Sequence, residues 1–316
     1  MNILEIKNLN LSFVSNGKEY QALYDINLQL KKGEILALVG ESGCGKSITA
    51  MSILKLLAPN AKITSGEIIY DGLNLLSLPE KEIQKIRGKE IALVPQDPMT
   101  SLNPLYTIES QLLEIIEQHQ NLKGYEAKKV AIDVLEQVKI PNAKERLKAY
   151  PHEFSGGMRQ RVIIAMAIAC KSKIIIADEP TTALDVTVQA QIMELLKEIQ
   201  KNSETSFIFI SHDFGLVYEI ADRAAVMYAG HIIESANSKE IFKNPKHPYT
   251  QALINALPDM NTTKLEAIEG QPPSIKDTFL GCPFTPRCTK RMDICSTKFP
   301  IYTYNENSNV SCWLYK

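Results

Sequence analysis

The residues Gly40-Glu41-Ser42-Gly43-Cys44-Gly45-Lys46-Ser47 follow the spacing G-x-x-x-x-G-K-[ST]. Glycines at these points let a backbone curl until successive N–H groups converge on an anion. The lysine adds a positive charge and the serine hydroxyl a hard oxygen ligand for Mg²⁺. Together these parts would cradle ATP, with Lys46 on the β- and γ-phosphates and Ser47 on the metal. A second cluster stands at Ile174-Ile175-Ile176-Ala177-Asp178-Glu179-Pro180. An apolar strand ending in two carboxylates would set Asp178 near the metal. Glu179 would lie near the γ-phosphate, there to orient or deprotonate an attacking water.

A third cluster lies at the far end, where Cys282, Cys288, Cys295 and Cys312 are spaced C-x5-C-x6-C-x16-C. Four thiolates suit a tetrahedral metal or an iron–sulfur cluster. The lack of a close C-x2-C pair weighs against a zinc ribbon. Reduced thiols packing as small apolar side chains are the plain alternative. Cys44 and Cys170 have no second thiol nearby in sequence and read as structural.

Behind these residues must stand elements able to hold them. Glu34–Val39 is a continuous apolar run ending at the glycine-rich loop, the pattern of a strand buried on both faces of a mostly parallel sheet. Ile91–Val94, Ile174–Ala177 and Phe207–Ile210 are further buried-strand candidates. The first thirty residues alternate apolar and polar and imply antiparallel strands around a hairpin near Asn16-Gly17. From about Ile108 to Val138 the apolar residues recur at helical spacing. This implies a helical subdomain, at about 97–157, inserted into an α/β strand–helix alternation. Beyond Lys239 prolines recur and argue for a turn-rich appended module.

Composition narrows the function classes. Hydrophobic residues make up 45%, charged residues 22%, and the formal net charge is −1. No basic excess exists to neutralise phosphates, so no nucleic-acid partner is expected. No apolar stretch approaches the roughly 20 residues a membrane-spanning helix needs. The start of the chain lacks the pattern of a secretory signal. A protein of this kind working at a membrane would be held there by partners.

Between the two phosphate-site clusters lies Phe154-Ser155-Gly156-Gly157-Met158-Arg159-Gln160-Arg161. With it the sequence resembles the nucleotide-binding subunits of ABC transporters, whose signature reads Leu-Ser-Gly-Gly-Gln. Phe154 and Met158 replace the outer residues of that signature. The resemblance implies a P-loop cassette with a RecA-like core, an antiparallel β subdomain and the inserted helical subdomain, spanning residues 1–238. It implies that Gln96 links the Mg²⁺ site to the helical insertion and that His212 contacts the γ-phosphate. Ala183-Leu184-Asp185 resembles the loop that crosses to a partner subunit. An aromatic residue near the amino terminus would stack on adenine, Phe13 first and Tyr20 as the alternative. In such a family two subunits sandwich ATP head to tail, so Lys46 and Ser155 of one chain would serve different nucleotides.

Three features carry a finer resemblance to the dipeptide and oligopeptide import group: Asp97-Pro-Met-Thr-Ser-Leu-Asn-Pro104, His247-Pro-Tyr-Thr250 and the terminal cysteines. The resemblance implies a peripheral motor at the cytoplasmic face of the inner membrane. Its implied partners are a second, related ATPase chain, two transmembrane permease subunits and, indirectly, an extracytoplasmic solute-binding protein. Residues 239–316 would form the group's carboxyl-terminal extension, whose cysteines hold a [4Fe–4S] cluster in several relatives. The group also imports nickel and other small solutes. A soluble ABC ATPase acting on ribosomes or nucleic acid is the reading from another class, but a single cassette without a heptad run or basic tail argues against it.

Overall fold

The structure is a computed structural model describing residues 1–182, 184–257, 268–304 and 308–316. It divides into two compact units, Met1–Leu78 with Phe209–Lys316, and Pro79–Ile208.

In the first unit, strands Asn2–Ser15 and Lys18–Lys31 pair antiparallel across Asn16-Gly17. Both turn residues have positive φ, 51° and 72°. An Asn-Gly turn adopts this conformation cheaply, and its twist matches that of the strands it joins. Ala61–Tyr70 adds to the other side of Asn2–Ser15, and Leu73–Asn74 follows it. Leu4, Ile6, Leu9, Leu11, Leu23, Ile26 and Leu30 are all buried. Each contributes about 1.5–3 kcal/mol of burial.

The same unit contains Ile35–Val39, five residues buried throughout and paired in parallel with Arg223–Tyr228. The start of this strand is tied down twice: Ile35 N–H donates to Asp222 at 2.9 Å, and Arg223 meets the buried Glu34 at 3.1 Å. Its far end releases the loop that opens helix Lys46–Ile53. Arg223–Tyr228 pairs antiparallel with His231–Asn237, which in turn receives Ser308–Val310. Among its described residues the proline-rich stretch holds only short α-helices, Ser238–Lys243, Pro248–Asn255 and Asp293–Thr297.

The second unit is built on two parallel strands, Ile91–Val94 and Ile174–Asp178, with Val94 opposite Ala177. The helical block separates into Ile108–Gln120 and Gly124–Gln137, the first closed by Asn121 at φ 56°. Leu112 and Ile116 of one, and Ala127, Ala131 and Leu135 of the other, are buried. Helix Gly156–Ala169 is buried along most of its length, which explains its apolar run Val162–Cys170. Val186–Ser203 is the longest helix described. No helix of the described residues is long and apolar enough to cross a membrane.

Candidate functional site

The phosphate loop sits within the first unit. Gly40 has φ 151°, and a Cβ there would stand 2.2 Å from the Met227 carbonyl oxygen and 2.9 Å from Cys44 Sγ. Gly45, the cap of helix Lys46–Ile53, has φ 111°, and a Cβ on it would meet Leu23 at 2.8 Å. Neither position admits a side chain. Lys46 is buried, and its Nζ donates to the carbonyl oxygens of Gly40 and Glu41 at 2.8 and 3.0 Å. Ser42 and Gly43 are exposed at the tip of the loop, and Ser47 is half-buried in the first turn of the helix. Cys44 is packed inward, and burial pushes its thiol above the ordinary range, which fits a structural role. Phe13 and Tyr20 stand directly opposite each other across the hairpin, both half-buried. The two aromatic candidates therefore occupy one place on the sheet. His212 is exposed just beyond strand Ser206–Ser211.

The second unit gathers the acidic residues. Because Val94 lies opposite Ala177, the next residues of the two parallel strands run side by side, which brings Gln96 to Glu179. Gln96 Nε2 donates to Glu179 Oε2 at 3.2 Å, and Thr182 Oγ1 donates to the same oxygen at 2.9 Å. Asp178 is buried beside them. Glu179 itself has φ 46°, a left-handed conformation unusual for a residue with a side chain. Such strain persists only where surrounding structure enforces it, and it collects at functional sites. Here the enforcing contacts are the Gln96 and Thr182 hydrogen bonds and that of Thr182 N–H to the Glu179 carbonyl.

Ser155 caps helix Gly156–Ala169, its hydroxyl accepting from Met158 N–H at 3.3 Å. Ser155 and Gly156 are exposed, so this helix presents its positive end outward. Gly157 faces inward, where a Cβ would meet Val188 Cγ1 at 2.5 Å. Asp185 caps helix Val186–Ser203, accepting from Val188 N–H at 3.0 Å. Ala183 lies outside the described residues. The sequence motifs do not single out Thr182, although its place three residues after Glu179 is a local signal.

Cys282, Cys288, Cys295 and Cys312 are free thiols and line one cavity. Burial pushes Cys282 up to about 12 and raises Cys288 and Cys312. The backbone N–H groups of Phe284, Lys290 and Leu314 are directed at the sulfurs of Cys282, Cys288 and Cys312 in turn. Such bonds favour the thiolate. Among the described residues, no three His, Cys, Asp or Glu side chains are close enough to hold a metal ion. A lone zinc ion needs four ligands converging on a single centre. A cubane cluster binds each thiolate to a different iron, so its four sulfurs stand further apart.

Residues 23–182 match the ABC transporter family, and residues 233–295 match the oligopeptide/dipeptide transporter C-terminal region. The chain belongs to the ABC transporter family. It is 48% identical to the dipeptide transport ATP-binding protein DppD of Bacillus subtilis, over 99% of this chain and 94% of that protein. It is 45% identical to the oligopeptide transport ATP-binding protein OppD of Escherichia coli, over 98% and 93%. Among solved structures it is similar to a dimeric post-hydrolysis state of the ATP-binding cassette MJ0796 bound to ADP and Pi. That match has a TM-score of 0.67 at 29% identity, covering 74% of this chain and 98% of the other. The α/β cassette expected from the sequence is thereby established, and the chain is an ABC-type ATPase.

Proposed function

We propose that this ATPase is the motor of an importer for dipeptides and oligopeptides. It is held at the cytoplasmic face of the membrane by two permease subunits and pairs with a second, related ATPase chain. A solute-binding protein outside the membrane supplies the peptide. Full-length similarity to DppD and OppD and the match of residues 233–295 support the substrate class. The single observation that carries the catalytic reading is the pairing of Gln96 and Thr182 on one carboxylate oxygen of Glu179, beside buried Asp178.

In this reading the N–H groups of Gly40–Ser47 and the Lys46 ammonium hold the phosphates. Ser47, Asp178 and Gln96 would be the residues to hold Mg²⁺, which would offset the charge developing on the phosphate oxygens. Glu179 orients the attacking water, its carboxylate held in place by Gln96 and Thr182. His212 contacts the γ-phosphate and Phe13 stacks on adenine. Ser155, Gly156, Gly157 and Asp185 act on the nucleotide held by the partner chain. Residues 1–238 form the cassette, with 97–157 as the helical insertion that passes the motion to the permeases, and 239–316 form the extension.

The test is peptide uptake by proteoliposomes holding the complete transporter. Glu179→Gln should bind ATP normally yet hydrolyse it about 10²- to 10⁴-fold more slowly, the worth of a general base, and should stop uptake. Unimpaired uptake would refute the catalytic assignment. Uptake of nickel in place of peptide would refute the substrate class.

The four cysteines are proposed to hold a [4Fe–4S] cluster, supported by their shared cavity and the N–H groups aimed at three of the sulfurs. Protein purified without oxygen should contain about four irons and four sulfides per chain. Cys288→Ser should lose them. Stoichiometric zinc, or no metal at all, would overturn the assignment.

A further inference from the structure

Glu41, the residue after Gly40, is held at its N–H, its carbonyl and its carboxylate. Its N–H donates to the hydroxyl of the buried Tyr249 at 2.9 Å. Its carbonyl accepts from Lys46 Nζ at 3.0 Å. Its carboxylate receives a two-pronged contact from Arg287, with Nη1 to Oε2 at 2.7 Å and Nη2 to Oε1 at 3.0 Å. Two of these partners come from beyond residue 238, and Arg287 lies 246 positions along the chain from Glu41.

The Arg287 side chain is only 5% exposed, against 23% for Glu41. The guanidinium is fixed on its other edges too. Nε donates to the Glu269 carbonyl at 3.0 Å and Nη1 to the Tyr228 hydroxyl at 3.3 Å. The rings of Tyr228 and Phe284 lie 5.9 Å from its centre. A forked, charge-assisted pair in such a cage is firmer than an exposed ion pair, and a lysine cannot reproduce it.

The backbone beneath Arg287 belongs to the cysteine loop. Arg287 ends the turn Thr285–Arg287, which runs between Cys282 and Cys288. Thr285 ties that turn in place, its hydroxyl donating to the carbonyl oxygens of Cys282 and Cys295 at 2.7 and 3.0 Å. Whatever arranges the cysteines therefore arranges Arg287. Removing Arg287 would also leave the Glu41 carboxylate uncompensated beside a site for a polyanion.

We propose that Arg287 is a positioning residue for ATP, transmitting the arrangement of the four-cysteine loop to the phosphate loop through Glu41. The proposal rests on the reading of residues 40–47 as the nucleotide loop. Coupling between two sites is reciprocal, so nucleotide should steady the cysteine loop as much as that loop steadies nucleotide.

The test measures binding of a non-hydrolysable ATP analogue with Mg²⁺ to the full chain, and the rate of amide hydrogen exchange across the cysteine loop, residues 282–295. Arg287→Ala should raise Kd by about tenfold, within the range usual for coupled sites. Arg287→Lys should raise it by less, and the double variant Glu41→Gln/Arg287→Ala should recover part of the loss. The analogue should slow exchange in the wild type and leave it unchanged in Arg287→Ala. Wild-type Kd together with intact protection in Arg287→Ala would overturn the proposal. If Arg287→Ala does not fold, Arg287→Lys and Glu41→Gln decide by the same two readouts. A wild type that binds no analogue, or a Lys46→Ala variant that binds as well as wild type, removes the nucleotide-loop reading and the proposal with it.

Discussion

Adjacent glycines at the start of helix Gly156–Ala169 should respond to alanine with opposite signs. At Gly156 a new Cβ would find only Leu184 Cδ2, at 3.8 Å, an ordinary contact. There the loss of glycine's backbone entropy should stabilise the fold by about 0.5–1 kcal/mol. At Gly157 the Cβ would meet Val188 Cγ1 at 2.5 Å, with Val188 Cγ2 and Cβ at 3.5 and 3.6 Å. Valine in a helix has one strongly preferred rotamer, so it cannot turn its methyls away cheaply. The two helices must move apart, which costs about 1–3 kcal/mol as overpacking. After the propensity gain, Gly157→Ala should destabilise by roughly 0–2.5 kcal/mol. Gly157→Ala with Val188→Ala removes the clashing methyls, and because Val188 is already half-exposed its own loss is small. The double variant should therefore return close to wild type, a non-additivity expected only between touching residues. Thermal unfolding reads this out, at about 2–4 °C per kcal/mol for units of this size. Additive effects in the double variant, or equal responses at the two glycines, would refute the reasoning.

Thr182→Val should lower the rate of ATP hydrolysis by roughly fivefold, one net hydrogen bond of about 1 kcal/mol, while leaving ATP affinity unchanged; steady-state kinetics separate the two. Arg161 is buried and donates to the Val138 carbonyl at 2.7 Å and Gln191 Oε1 at 2.8 Å. Arg161→Met strands the acceptor on buried Val138, while the exposed Gln191 can turn to water, and should cost about 1–3 kcal/mol, seen as a lowered melting temperature. His231 is stacked between the rings of Tyr24 and Phe299 at 4.5 and 4.2 Å, and burial drives its pKa down to about 3. The unfolded chain gains a proton near 6.5 that the folded chain refuses until about 3. Stability should therefore fall as pH drops through that window, by up to about 1.4 kcal/mol per pH unit from this group. His231→Gln should flatten that slope in denaturant titrations at successive pH values.

Local signals made most of this chain legible. Asn16-Gly17 announces its turn because few residue pairs accept two positive φ angles, and the turn then sets the pairing of Phe13 with Tyr20. The phosphate loop, the signature Ser155-Gly156-Gly157 and the Asp178-Glu179 pair each combine chemistry and conformation within a few residues. The break at Asn121 is hidden in the sequence because apolar spacing continues on both sides of it. Ser308–Val310 left no trace in the sequence: three residues have no usable period, and their pairing partner is some seventy positions upstream. Arg287 was invisible for the same reason, since nothing near it in sequence points to Glu41.

The left-handed backbone at Glu179 sets two selection pressures against each other. Glycine would relax that conformation, and asparagine would tolerate it better than glutamate, with about 1–3 kcal/mol at stake. Either replacement discards the carboxylate on which Gln96 and Thr182 converge. A library screened only for resistance to heat should therefore enrich inactive proteins at this position. Stabilising programmes for this ATPase gain by holding residue 179 fixed and seeking their improvements elsewhere.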